Sequence, residues 1–155
     1  MQRECKRIAD QLKRSYQGEA WHGPSLTAVL EGVTAEQAAA RPLADAHSIW
    51  ELVLHITAWQ REARRGLLGG SIDPSDEEDW PAVEENGQKA WAKALRDLGD
   101  ENRSLRETVA ALQDEDLESQ VGNRAYSVYF LLHGVVQHNL YHAGQIILLK
   151  KALSG

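Results

Sequence analysis

Two histidines stand four residues apart in the segment Gln137-His138-Asn139-Leu140-Tyr141-His142-Ala143-Gly144-Gln145-Ile146. On a helix, positions i and i+4 lie one above the other on the same face. Two imidazoles so placed can reach one metal ion from a single rod. Two ligands seldom hold a metal against water, so a third is expected from another element. The candidate is His55, in Leu54-His55-Ile56-Thr57-Ala58-Trp59, inside a second helical pattern. Three imidazoles and no carboxylate suit Zn²⁺, Ni²⁺ or another borderline divalent ion. Three protein ligands with one position left open describe a centre that does chemistry rather than one that staples a fold. Such a centre lowers the pKa of a bound water toward about 7, or holds a thiolate ready for attack.

The competing reading is core packing. A lone histidine on the inner face of a helix is usually a satisfied core residue. A neighbouring pair is a harder case, because two imidazoles are desolvated and each nitrogen needs a partner. A metal satisfies both at once and opposes their protonation. His55 also reads equally well as a ring packed beside Trp59. Both readings stand on spacing alone.

The remaining histidines fit less well. His47 falls near a helix start, as a cap or surface residue. His133 is five residues before His138, about 140° around a helix, so it cannot share that face. His22 lies in the Gly-Pro-bounded loop Trp21-His22-Gly23-Pro24. Glu51, one turn before His55, and Gln145, three residues after His142, are placed to orient the ligand rings. Trp21, Trp50 and Trp59 are candidates for pocket lining, with plain core packing as the alternative for each.

Four long helical patterns must position these residues. The first covers about 2–17, with Cys5, Ile8 and Leu12 on one stripe and Gly18 as its stop. A short helix follows, with Pro24 at its first position and Leu26, Val29 and Leu30 as its apolar side. Thr34 with Gln37 resembles a capping box that starts one more turn. The second long helix runs from about Ala46 to Leu68, buries Ile49, Leu52, Val53 and Ile56, and stops at Gly69-Gly70. Residues 71–79, acidic and containing Pro74, read as an exposed loop. The third helix spans roughly Ala82 to Gln113 with a stripe from Trp91 to Leu112, in which Asn102 is the polar member and Gly99 a candidate bend. The fourth runs from about Ser127 to Leu153. Leu131, Val135, His138, His142, Ile146 and Leu149 share one face of it, so the histidine pair points inward. No segment alternates with period two for long enough to predict a strand. The expected fold is all-α, a four-helix bundle with a short extra helix after the first long one.

The chain has 155 residues, a length that predicts a single domain with a full core. Its net charge of −6 speaks against a broad basic surface for nucleic acid. The clusters Arg61, Arg64, Arg65 and Lys150, Lys151 lie late in predicted helices, where cations favour the dipole. With one cysteine, Cys5, no intrachain disulfide forms. The N-terminal segment lacks the apolar run of a signal peptide, and no stretch is apolar enough for a membrane helix. The expected compartment is the cytoplasm, with no membrane partner.

Tyr126-Ser127-Val128-Tyr129 through Gln145-Ile146 resembles the last helix of the DinB/YfiT-like superfamily of metalloenzymes. His47-Ser48-Ile49-Trp50-Glu51-Leu52-Val53-Leu54-His55-Ile56 resembles its second helix, where a tryptophan near the start precedes the first ligand. The resemblance covers nearly the whole chain. It implies a four-helix bundle, a divalent metal (Zn or Ni) on His55, His138 and His142, and a homodimer. It also implies a small-molecule substrate, with a low-molecular-weight thiol as cosubstrate, because members include thiol-dependent S-transferases and a mycothiol-dependent maleylpyruvate isomerase. The implied activity is S-transfer to, or hydrolysis of, small electrophiles. The alternative is a non-catalytic, stress-related bundle with a stabilising or vestigial metal site.

Overall fold

The computed structural model describes residues 3–154. Among them the chain is helical throughout: α1 (Glu4–Tyr16), α2 (Leu26–Leu30), α3 (Ala35–Ala39), α4 (Ile49–Leu67), α5 (Asp76–Asp79), α6 (Gln88–Ala111) and α7 (Val128–Ser154). A 3₁₀ turn covers Asp114–Glu118. The four long helices build the bundle, and α2 is the short extra helix after the first of them. The expected helix start at residue 2 lies outside the described residues.

Local chemistry sets the boundaries. The Ser48 hydroxyl accepts the Glu51 N–H at 3.2 Å, and the Glu51 carboxylate accepts the Ser48 N–H at 2.7 Å. This capping box starts α4 three residues later than its apolar pattern suggested. The Thr34–Gln37 box starts α3 as expected. Three expectations are corrected. Pro24 is not the first helical residue of its segment: Ser25 is the N-cap and α2 begins at Leu26. The third long helix begins at Gln88, not Ala82, because Gly87 takes φ +123° at its N-cap and interrupts any helical run from Pro81. The acidic loop contains one helical turn, α5, started by a Ser75–Glu78 box.

Arg3 offers α1 no side-chain cap. The Asp114 carboxylate replaces it, accepting the N–H groups of Glu4 at 2.9 Å and Cys5 at 3.0 Å. Orphan donors at a helix start are thus satisfied from a residue far along the chain. Burial, then the facing Asp114, pushes the Cys5 thiol up to about 11.

Pairings give the helix directions. Trp50 meets Trp91, and Arg64 meets Glu101. Helices α4 and α6 therefore run parallel, joined by the long connector 68–87. Tyr16 packs over Gly99, while Cys5 Sγ reaches the Gln113 carbonyl, so α1 is antiparallel to α6. Gly99 is where the Tyr16 hydroxyl comes close, since a Cβ there would lie 2.7 Å from it.

The apolar core forms two clusters, one at each end. One holds Leu30, Ile49, Trp50, Ile56, Trp91, Leu98 and Ile146. The other holds Ile8, Leu12, Ala63, Leu105, Leu132 and Val135. Between them lies a polar level with Gln60, Asn102 and Asn139, all fully buried. The cationic clusters are engaged: Arg64 and Arg61 face Glu101, Arg65 faces Glu62, and Lys150 donates to the carbonyls of Val29 and Glu31.

Gly122 has φ +48°, and a Cβ on it would press into the Gly70 carbonyl oxygen. Both the left-handed backbone and the close approach demand glycine there. Gly122→Ala should cost about 1–3 kcal/mol, read as a lower urea midpoint at unchanged m-value.

Candidate metal centre

Each of the three candidate histidines comes from a helix that the core holds rigid. His55 sits on α4 between the buried Leu52 and Ile56, and His138 and His142 lie one turn apart on α7. One ring nitrogen from each lies within 4.8 Å of the others. His138 Nε2 is 3.0 Å from His55 Nε2 and 3.1 Å from His142 Nε2. Nitrogens bound at about 2.1 Å to one ion stand about 3.0–3.4 Å apart for ligand angles from 90° to tetrahedral. The observed spacing falls in that range.

The outer nitrogens decide which way the lone pairs face. His55 Nδ1 donates to the Asp79 carbonyl at 2.7 Å, with the Asp79 carboxylate at 3.1 Å. His142 Nδ1 donates to Gln145 Oε1 at 2.6 Å. Both rings therefore carry their proton on Nδ1 and turn a free Nε2 lone pair toward His138. His138 Nδ1 is buried without a partner. With its proton on Nε2, one N–H is shared between two acceptors and Nδ1 stays an unpaired acceptor. With its proton on Nδ1, that N–H is a buried donor without an acceptor and three Nε2 lone pairs converge. A cation at the centre resolves the second arrangement, so the donor set fits a divalent metal.

Electrostatics agree. Burial, followed by the neighbouring His142 and His55, pushes His138 down to about 3. Burial also lowers His55 and His142. All three rings are neutral at pH 7, the form that binds metals. For His138 the folded value lies below the unfolded one of about 6.5. Between about pH 6.5 and about 3 the unfolded chain therefore holds the extra proton, and acid favours unfolding. In chelator, the free energy of unfolding should fall as pH drops below about 6.5, with a slope approaching about 1.4 kcal/mol per pH unit from this group, read from urea unfolding. It should be nearly flat from pH 7 to 8.

Of the two residues expected to orient the rings, Gln145 does so. Glu51 does not: its carboxylate is held by the Ser48 cap and by Arg41 at 2.5 Å. Two connector residues that the sequence did not single out lie at the site. Asp79 orients His55 and also accepts the Trp59 indole N–H at 2.6 Å. Trp80 lies between two imidazoles, 3.7 Å from His55 and 3.6 Å from His47, nearly parallel to both. A tryptophan closing an acidic, otherwise solvated loop was the available signal, since such loops rarely spend an indole on water.

The other aromatic expectations divide. Trp59 lies at the site, its ring 6.3 Å from His138. Trp50 is packed in the core on Trp91 at 5.2 Å. Trp21 is fully exposed in a turn and lines nothing near the three rings. His22 is exposed, with Nε2 on the Pro24 carbonyl. His133 packs on Tyr129 and, as its angular offset required, stays out of the cluster. His47 is a half-exposed stacking partner, and the cap beside it is Ser48. A cleft of about 420 Å³ opens beside His142, walled by His47, Trp80, Tyr141 and Leu148.

The sequence model of the DinB superfamily matches residues 20–146, which include all three rings. No curated protein and no solved structure matches the chain.

Proposed function

The chain belongs to the DinB superfamily, and from that premise we propose that it is a divalent-metal-dependent enzyme acting on small electrophiles. The preferred reaction is transfer of a low-molecular-weight thiol, with hydrolysis as the variant in which water takes the thiol's place. The observation that carries this reading is the convergence of three neutral imidazole nitrogens, two with their tautomer fixed from behind. His55, His138 and His142 would hold the ion, with Zn²⁺ and Ni²⁺ the best matches to an all-imidazole set. A divalent ion bound there supplies a Lewis acid that makes a thiol or water more acidic. Asp79 and Gln145 hold two of the rings in the metal-binding tautomer. Trp59 and Trp80 limit water on the connector side. The cleft beside His142 offers an apolar wall for the electrophile.

The test uses Co²⁺ as a visible probe. Adding a small thiol to the Co²⁺-loaded protein should produce a sulfur-to-cobalt charge-transfer band, and an aromatic electrophile such as a chlorodinitrobenzene should be consumed faster by loaded protein and thiol together than by the thiol alone or with metal-free protein. Neither band nor consumption with any of several thiols, together with no hydrolysis of activated esters, would remove the enzymatic reading.

One observation favours a second reading, a stabilising centre. His55 is joined to the connector through Asp79 and Trp80, so an ion on His55 would brace that segment. On this reading, chelation lowers the melting temperature and no substrate is turned over.

We also propose a homodimer through α7. Phe130, Tyr141 and Leu148 are exposed, and their spacing of eleven and seven residues places them on one stripe. A helix that is apolar outside as well as inside expects a partner. Sedimentation should give a dimer that Phe130→Glu with Tyr141→Glu converts to monomer. A monomeric parent would dismiss it.

A further inference from the structure

The polar level between the two apolar clusters has a direction that its hydrogen bonds fix. The Arg106 guanidinium donates from Nε to Asn102 Oδ1 at 2.9 Å. That leaves Asn102 its Nδ2, which donates to Gln60 Oε1 at 3.0 Å. Gln60 is left with Nε2, a donor that is buried and has no partner. On the far side, the Ser15 hydroxyl donates to the Leu12 carbonyl at 3.0 Å. Its oxygen therefore accepts from Asn139 Nδ2, at 3.1 Å. Asn139 is left with Oδ1, an acceptor that is buried and has no partner. The amide orientations follow from the ends of each chain, since a guanidinium only donates.

One free donor and one free acceptor thus remain on two side chains that are both fully buried. They belong to the same level of the bundle. Gln60 lies between Ile56 and Ala63 of α4, which mark the facing edges of the two clusters. Asn102 lies between Leu98 and Leu105 of α6, and Asn139 between Val135 and Ala143 of α7. Ser15 neighbours Tyr16, whose hydroxyl approaches Gly99, one turn from Asn102. Side chains on helices lean toward the N-terminus. With α4 and α7 antiparallel, Gln60 and Asn139 lean toward each other.

We propose that one buried water joins Gln60 to Asn139, accepting from Nε2–H and donating to Oδ1, and that the two residues act as a positioning pair for the histidines. The water closes a single directional chain from Arg106 through Asn102, Gln60 and Asn139 to Ser15, touching all four long helices. A buried donor and acceptor without partners are rare in folded proteins, and a water between them is the usual solution. The positioning role follows from adjacency. Asn139 follows His138 directly on α7, and Gln60 lies on the helix that carries His55. A chain joining α4 to α7 at this level fixes how the His138–His142 pair meets His55. This second half rests on the metal reading above.

The bridge is tested on metal-free protein by a double-mutant cycle of Gln60→Met and Asn139→Leu in urea. A shared water makes the two losses overlap: the double variant should lose at least fivefold less folding equilibrium constant than the product of the singles. Losses that simply multiply would overturn the bridge. The positioning role is tested by Co²⁺ absorption. Asn139→Leu should shift the visible bands and weaken Co²⁺ binding about tenfold or more. Leu105→Ala, destabilised in an apolar cluster, should leave the bands in place. Unshifted bands in Asn139→Leu would overturn the positioning role. Wild-type protein that takes up no Co²⁺ would overturn the metal reading and the positioning role with it, whereas the urea cycle decides the bridge either way.

Discussion

Replacing His138 with alanine should abolish metal binding. Tag-free parent protein grown with adequate Zn²⁺ or Ni²⁺ should carry about one ion per chain by elemental analysis, and His138→Ala less than about a tenth. Loss of a group that only orients a ligand already costs about 10–100-fold in affinity, and removing a ligand should cost more. His138 is the informative choice because its Nε2 is the nitrogen within 3.0 Å and 3.1 Å of the other two. His133→Ala is the control, for that ring packs on Tyr129 outside the cluster. Melting in chelator separates the effect of the substitution from the effect of losing the ion. The metal-free variant should melt within a few degrees of the metal-free parent, because the substitution also removes the unpartnered Nδ1 and the crowded lone pairs. A parent without stoichiometric metal under replete conditions would defeat every metal-based reading.

The largest stability loss is expected at Trp91. Its side chain is fully buried, tilts against Trp50 at 5.2 Å and donates its indole N–H to the Val33 carbonyl at 2.8 Å. It therefore joins α6 to α4 and to the segment that carries α2 and α3. Trp91→Ala should cost about 3–5 kcal/mol through lost contacts and an unfilled cavity. Trp91→Phe keeps part of the packing but leaves the Val33 carbonyl unpaired, and should cost about 1–3 kcal/mol. Urea unfolding followed by circular dichroism measures both. A loss below about 1 kcal/mol for the alanine variant would mean that the cluster closes over the gap.

The long helices and the inward-facing histidine pair were legible in the sequence because a period of 3.6 residues is written in the apolar positions themselves. Leu131, Val135, His142, Ile146 and Leu149 are all buried, as that period requires. Thr34 was legible as a start and closes a reciprocal box; Ser48 closes another where the sequence had pointed to Ala46 and His47. The late start of α6 was hidden, because Ala82 to Asn86 carries no breaker and the decision rests with the positive φ of Gly87. Asp79 was invisible, and the place that Trp80 would take was too, for another reason. They reach His55 through a connector with no periodicity, and nothing local in Glu78-Asp79-Trp80-Pro81 states which helix it will lie on. Glu51 shows the reverse error. Its spacing from His55 suited a ring partner, but a nearer demand, the open N–H of the α4 N-cap, took its carboxylate.

The Trp80 sandwich also bears on how the molecule opens. No residue of α5 itself is buried; upstream in the connector Ile72 enters the core, and downstream Trp80 packs on the edge of the other cluster. What fastens residues 76–80 is the stacking of Trp80 on His55 and His47 and a pair of contacts from Asp79 to His55 and Trp59. A segment so held detaches without the bundle unfolding, at a free energy set by that attachment alone. Backbone amides of residues 76–80 should then exchange with deuterium faster than those of α4, by a factor that grows when the ion is stripped from His55. Occupancy of a buried centre would be written on the protein's surface, where a protease or a binding partner could read it.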